Sequence, residues 1–420
     1  MRAMTSTTAA APAHSVPFRQ DASVIGLVGI AHLVSHFSQL LLAPLFPWLK
    51  DAFQVSYAEL GFLMTLFFVT SCVVQAASGF VVDRFGPRPV LFVGLALLAC
   101  AAFGYASSTS YWMLAMFSIV AGVGNGVFHP VDYTLLNRKV STARLGHAYS
   151  VHGITGSLGW ALAPAMLVPI TIASSWRVAL VCAGAFAVLV LLVLLFNRDQ
   201  LALAAPAADK TAGAATAAAS HFGFLRIPAV WMCFAFFFFY ANALGVVQAF
   251  APSAARELHA VPLAIAGLCV TVYMLCSAGA MVLGGFLAAD PTRCERIVAV
   301  GFGFSACVAL TLGLADVPAM LVPVMFGLMG LGAGLAGPSR DMIVKRATPA
   351  NASGRVYGVV YSGLDIGQAI APLVFGTLMD HRQYSAIFIG LALVQAVLIG
   401  SAFNVGRVRR TPLSATPASA

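Results

Sequence analysis

The chain has 420 residues, of which 60% are hydrophobic and only 9% carry charge. A soluble domain carries about a quarter charged residues, so water is not the solvent this surface suits, whereas lipid tolerates it. The net charge of +9 is not spread as a basic stripe interleaved with aromatics, which excludes a nucleic-acid partner and leaves helix orientation in the membrane as its use.

A bilayer core of about 30 Å calls for about 20 apolar residues per helix. Residues 1–22 are rich in Ala, Ser, Thr and Pro, lack an apolar run of their own, and read as a cytoplasmic tail rather than a cleaved leader. Twelve segments then qualify as spans, at 23–47, 58–82, 90–108, 112–136, 146–170, 176–196, 227–251, 262–288, 296–315, 319–344, 354–379 and 384–405. The longest connection, 197–226, is low in complexity and divides the spans six and six. It is expected to be a cytoplasmic linker between an N-terminal bundle (23–196) and a C-terminal bundle (227–405), with 406–420 as a cytoplasmic tail. The eight cysteines form no CxxC pair and nearly all lie in apolar runs, which reads as packing rather than metal ligation or disulfides.

Orientation follows from the basic residues. With both termini in the cytoplasm, 19 of the 23 Lys and Arg fall on the cytoplasmic side, and only Lys50, Arg177, Arg256 and Arg382 fall on the other. The halves are also repeats. At one offset of 208, Gly122, Gly124, Gly126, Pro130, Arg138, Gly146, Tyr149, Gly159 and Pro164 coincide with Gly330, Gly332, Gly334, Pro338, Arg346, Gly354, Tyr357, Gly367 and Pro372. Spans 4 and 5 thus recur as spans 10 and 11 in the same orientation, a parallel duplication known among transporters.

Between spans 2 and 3 lies Gly79-Phe-Val-Val-Asp83-Arg84-Phe85-Gly86-Pro87-Arg88. It resembles GxxxDRxGxR, the signature of the major facilitator superfamily, and falls at an expected cytoplasmic turn. The resemblance implies an all-α membrane fold of twelve transmembrane helices in two six-helix bundles. It also implies that Gly79, Asp83, Arg84, Gly86 and Arg88 form a conformational latch for the outward-facing state. Gly79 is expected to let span 2 pack closely on a neighbour, and Asp83 to cap a helix N-terminus and pair with a basic residue across the halves. The matching loop between spans 8 and 9 is degenerate, keeping Gly284, Gly285, Asp290, Arg293 and Arg296 at altered spacing.

Span 4 ends in Gly122-Val-Gly124-Asn125-Gly126-Val-Phe128-His129-Pro130-Val-Asp132, and span 5 carries His152-Gly153-Ile-Thr-Gly156-Ser-Leu-Gly159. Together they look like the fosmidomycin-resistance type of facilitator exporter. The arginine that many drug exporters carry in span 4 is replaced by Ser118, and the GxxxGPxxGG motif of span 5 is not reproduced.

Polar side chains inside a bilayer are costly and usually functional. His32, His36 and Gln39 lie on one face of span 1, His129 and Asp132 are an i, i+3 pair in span 4, and His152 shares a face with Gly156 and Gly159. The second half supplies Asn242 and Gln248 in span 7, and Asp365 and Gln368 in span 11. These ten residues are the candidate substrate and proton pathway. Asp365 is the candidate proton carrier, because burial disfavours the charge of a carboxylate, and His32 and His36 are its candidate relay. Arg340 and Asp341, toward the end of span 10, are expected to make local contacts.

No GxxxxGK[ST] phosphate loop occurs, so ATP does not drive the chain directly. No nucleophile–base pair or metal-ligand spacing is visible, which argues against an enzyme, and no cofactor or catalytic residue is expected. The resemblance implies a secondary active transporter, monomeric in the bilayer of a bacterial inner membrane, that carries out proton-coupled export of a small polar or anionic compound or drug. Uptake of an organic anion or other metabolite is the alternative of the same class. A non-transporting membrane receptor or sensor is the alternative of another.

Overall fold

The structure is a computed structural model and describes residues 17–203, 228–288, 292–347 and 354–410. Most of the expected linker 197–226, the ends of both tails and Asp290 lie outside the described residues. Twelve helices among the described residues are long and apolar enough to cross a membrane, and no strand accompanies them. They are α1 (Phe18–Gln39), α2 (Tyr57–Phe85), α3 (Pro87–Ser107), α4 (Tyr111–Asn125, continued by Phe128–Lys139), α5 (Leu145–Ala173), α6 (Trp176–Phe196), α7 (Pro228–Ala249), α8 (Leu263–Leu287), α9 (Cys294–Leu314), α10 (Val322–Ala347), α11 (Gly354–Asp380) and α12 (Tyr384–Arg410).

The first span, expected as one helix over 23–47, is broken within Phe18–Phe53. Pro44 has no N–H to donate to Leu40 and its ring would clash with that carbonyl. The helix therefore stops at Gln39, and the chain restarts at Phe46 as a short helix to Phe53. The same device closes α7, where Ala251–His259 follows with Pro252 in its first turn. Each short helix ends on a left-handed residue, Gln54 at φ 53° and Ala260 at φ 52°.

The duplication in sequence is a duplication in packing. α1 packs on α5, α2 on α4, and α3 on α4 and α6; α7 packs on α11, α8 on α10, and α9 on α10 and α12. Glycines make the closest of these approaches. A Cβ at Gly126 would stand 2.6 Å from the Ser71 carbonyl oxygen on α2, and one at Gly122 2.5 Å from that of Phe67. In the second half Gly330 and Gly334 lie as tightly against the carbonyls of Tyr273 and Ser277 on α8. Backbones this close exclude any side chain, which explains the small residues at both copies of the motif.

The aromatic side chains of Phe37, Phe46 and Phe128 fill the first bundle, and Phe236, Phe302, Phe326 and Phe388 the second. Val73, Phe196, Leu283, Val300 and Leu393 point outward. Lipid, not water, is the solvent of that face.

The bundles meet along two seams, α2 against α11 and α5 against α8. Both seams are tight at the end of the molecule away from the Asp83–Arg88 turn. There Gly61 abuts Pro372, Gly376 abuts Ala58, and Gly267 abuts Val168. Thr65 donates to the Ala369 carbonyl at 2.6 Å and Thr271 to that of Ala161 at 2.9 Å. Toward the turn the seams part: Gly79, Gly146, Gly279 and Gly285 face open space.

Candidate translocation site

The break in α4 sets the site. Pro130 lacks the N–H that would bond the Gly126 carbonyl, so the helix is interrupted between Asn125 and Phe128. The stretch beyond it carries His129 and Asp132 into the first bundle, opposite α1 and α5. His32 Nδ1 lies 3.0 Å from Asp132 Oδ2, and His152 Nε2 lies 3.1 Å from the same oxygen. The His32 and His152 rings stack with centroids 3.5 Å apart, and His36 packs on both His32 (4.3 Å) and Trp160 (4.1 Å). Four histidines and one aspartate from three helices therefore form a single cluster, buried except for the partly exposed His129.

A second polar layer lies beside it. Ser35 donates to Asn125 Oδ1 at 2.7 Å, and Asn125 donates to Ser71 at 2.9 Å. Gln39 Oε1 accepts from the Trp160 indole at 3.0 Å. Sequence reasoning did not single out Ser35, Ser71 or Trp160, and noted Asn125 only as part of a motif. Asn125 carries the same cost of burial that marked the histidines, whereas an indole inside an apolar helix carries no such mark.

The most consequential omission is Gln75 on α2. Its Oε1 lies 2.8 Å from His129 Nδ1, and its amide donates to Asp365 Oδ2 on α11 at 3.1 Å. One side chain thus ties the cluster of the first half to the acid of the second. Asp365 has no cationic partner among the described residues.

The remaining candidates form a separate group. Gln368 donates to Gln248 Oε1 at 3.2 Å, and Asn242 donates to the Gly367 carbonyl at 3.4 Å, which pairs α7 with α11. Gln248 also lines a small cleft between the halves with Pro164, Ser253 and Arg256. Arg340 is buried rather than peripheral: its guanidinium lies 4.1 Å from the ring centroid of Tyr240, midway along α7.

The turn between α2 and α3 is not engaged as a latch in this structure. Gly79 packs on nothing, so its lack of a side chain is not used at this seam. Asp83 and Arg84 are exposed, and Asp83 makes no ion pair or hydrogen bond among the described residues. The cause is the parting of the seams at this end, which removes the surface the latch would engage. Gly86 is needed for its backbone, at φ 81°. Arg88 donates at 3.4 Å to the carbonyl of Arg198, within its own half. The loop between α8 and α9 keeps one packing glycine, Gly284 against Leu335, while Gly285 and Arg296 are exposed.

The family model described as Major Facilitator Superfamily matches residues 28–327 and 232–419. The chain therefore belongs to the major facilitator superfamily, whose fold and members are those of transporters, not enzymes. Among curated relatives it is 24% identical over 156 residues to the fosmidomycin resistance protein of Escherichia coli (strain K12), covering 37% of this chain and 38% of that protein. It is 29% identical over 144 residues to the membrane sensor protein UhpC of Salmonella typhimurium, covering 34% of this chain and 33% of the relative. The chain thus matches less than two fifths of the length of either relative. A solved bacterial homologue of the human lysosomal transporter Spinster, inward-facing and occupied, superposes with a TM-score of 0.76 at 13% identity, over 96% of this chain and all of the other.

Proposed function

We propose that the chain is a proton-coupled exporter of a small polar or anionic compound, working by alternating access with both termini in the cytoplasm. The observation that carries this reading is the chain His129–Gln75–Asp365, which links the buried histidine cluster of one half to a carboxyl group of the other across a seam. Rocking of the halves must stretch or break that link. A carboxyl group there can hold its proton in one state and meet a different environment in the next.

The relative named for fosmidomycin resistance supplies the first probe. Cells expressing the chain should tolerate at least fourfold more fosmidomycin, or another compound from a panel of toxic anions, than cells carrying an empty vector. A second reading has one observation in its favour, the similarity to a membrane sensor protein. A sensor would protect against no compound and would support no counterflow in proteoliposomes. Uptake is the same cycle run inward, and labelled compound would then accumulate in intact cells instead of leaving them.

The orientation is open to a direct test. A reporter that is active only in the cytoplasm should report when fused after Arg410, and activity of a periplasm-only reporter there would overturn it.

The structure on this reading is the inward-facing state, open at the Asp83 end. Asp83 then acts in the other state, when that end closes. Asp83→Asn should slow transport about tenfold by depopulating the closed state, a shift worth about 1.4 kcal/mol. Affinity measured in the inward-facing state should be unchanged. Wild-type transport rates in this variant would remove the latch from the mechanism.

A further inference from the structure

We propose that His32, His36 and His129 form a binding site for a divalent transition-metal ion of the zinc, cobalt or nickel type. The inference stands on the geometry of the cluster and does not depend on the direction or substrate of transport. One ligand nitrogen from each of the three residues lies within 4.8 Å of the others. A four-coordinate ion with metal–nitrogen bonds of 2.0–2.1 Å sets its ligands about 3.3 Å apart, so rotation of the rings closes the difference.

The tautomers are set for ligation by the groups behind the rings. With Asp132 ionised, its Oδ2 can only accept, so His32 Nδ1–H is the donor at 3.0 Å and the lone pair falls on His32 Nε2. His129 Nδ1–H donates to Gln75 Oε1 at 2.8 Å, which leaves the lone pair on His129 Nε2. A carboxylate or carbonyl oxygen on the far nitrogen of a ligating histidine is the usual outer shell of a metal site, because it orients the ring and raises its basicity.

The third nitrogen is waiting. His36 Nδ1 is buried and makes no hydrogen bond of good geometry among the described residues, with only the Gly156 backbone beside the ring as a weak polar neighbour. A Cβ at Gly156 would stand 2.7 Å from His36 Nδ1 and 3.1 Å from His32 Nε2, so both nitrogens face one spot that Gly156 leaves free. Imidazole is a good ligand for this class of ion. A second trio, His32, Asp132 and His152, also comes within reach of one ion. Its contact oxygen, however, is already shared by two imidazole nitrogens, and its two rings lie stacked rather than converging. Three protein ligands leave a fourth position open, where water or an anionic group could bind.

The test is Co2+ titration of the purified full-length protein in detergent after removal of any affinity tag, followed by visible absorption. One ion per chain should produce the d–d band of four-coordinate Co2+, and Zn2+ should displace it. His36→Gln and His129→Gln should abolish the band, and Gly156→Ala should weaken it by filling the free spot. Asp132→Asn should weaken binding by about 10–100-fold through the loss of its outer-shell contact. The exposed His147 and His381 serve as controls, and their Gln variants should keep the band. Absence of the band in the unmodified protein would overturn the proposal even if a variant fails to fold. Retention of the band in monodisperse His36→Gln and His129→Gln, or its loss only in His152→Gln, would do so as well.

Discussion

Asp365→Asn should lower accumulation driven by an imposed pH gradient at least tenfold while leaving substrate-for-substrate exchange close to wild type. The side chain accepts a hydrogen bond from Gln75 across the α2–α11 seam. An asparagine oxygen accepts the same bond, so the contact between the halves survives. The capacity to take up and release a proton does not. Only the coupled mode of transport is expected to fail, because exchange between two loaded states needs no net proton movement. Proteoliposomes loaded with the compound that the growth screen identifies, fosmidomycin first, separate the modes: a pH jump drives one and labelled counterflow reads the other. A variant that still concentrates the compound under the gradient would make Asp365 a structural group. Loss of both modes would instead point to failed assembly of the seam, and Gln75→Leu, which cuts the link from the other side, should then show the same phenotype.

Much of this architecture was legible because lipid imposes strict rules on sequence. Segments such as 58–82 and 354–379 follow from length and apolarity alone, and they emerge as Tyr57–Phe85 and Gly354–Asp380. The repeated glycines announced helix pairs, and Gly126 and Gly334 indeed bring α4 onto α2 and α10 onto α8. Interruptions were harder to read. Pro44 and Pro130 were visible, yet whether a proline kinks a membrane helix or ends it depends on what satisfies the freed carbonyl, and that is a tertiary matter. The cluster itself was half legible. His32, His36, His129, Asp132 and His152 were marked as costly in lipid, but nothing in their spacing said that α1, α4 and α5 would bring them to one point. For the same reason no metal-ligand pattern showed: the three converging imidazoles come from two helices, with His36 and His129 93 positions apart. Gln75 was overlooked although it obeys the same rule of cost. Asn242, Gln248 and Gln368 obeyed the rule too, and they pair with one another and the backbone away from the cluster. A polar residue in a membrane helix signals a partner, and only the fold decides whether that partner is a site or a strut.

Asp380→Ala should release the closed end of the molecule and shift the conformational equilibrium about 30-fold toward the state open there. The reason lies at the first turn of α2, whose leading N–H groups have no partners within the helix. Ser56 and Glu59 form a capping box, with Glu59 N donating to Ser56 Oγ at 3.1 Å and Ser56 N to Glu59 Oε2 at 2.8 Å. The two N–H groups that remain, of Tyr57 and Ala58, donate to the two carboxylate oxygens of Asp380 at 2.7 and 2.9 Å. Asp380 is the last residue of α11, so the cap comes from the opposite half. It places a negative charge on the positive end of the α2 dipole and bolts the seam where Gly376 meets Ala58. Charge-assisted bonds of this kind contribute about 1.5–3 kcal/mol each when well shielded. The carboxylate is partly exposed, so about 2 kcal/mol for the pair is the expected net, and 1.4 kcal/mol is tenfold. The measurement is the labelling rate of Ala369→Cys, buried in the same seam beside Thr65, by a membrane-impermeant maleimide in a background without the native cysteines. Asp380→Ala should raise that rate at least tenfold, and Asp380→Glu should restore part of the protection. Asp83→Asn acts on the opposite end of the same helix and should lower the rate. The double variant should then return toward the wild-type balance while transporting slowly, since both gates hold less firmly. Equal labelling in wild type and Asp380→Ala would mean that packing of Gly61 and Gly376 alone holds the seam, and that the carboxylate merely caps a helix that would stay closed without it.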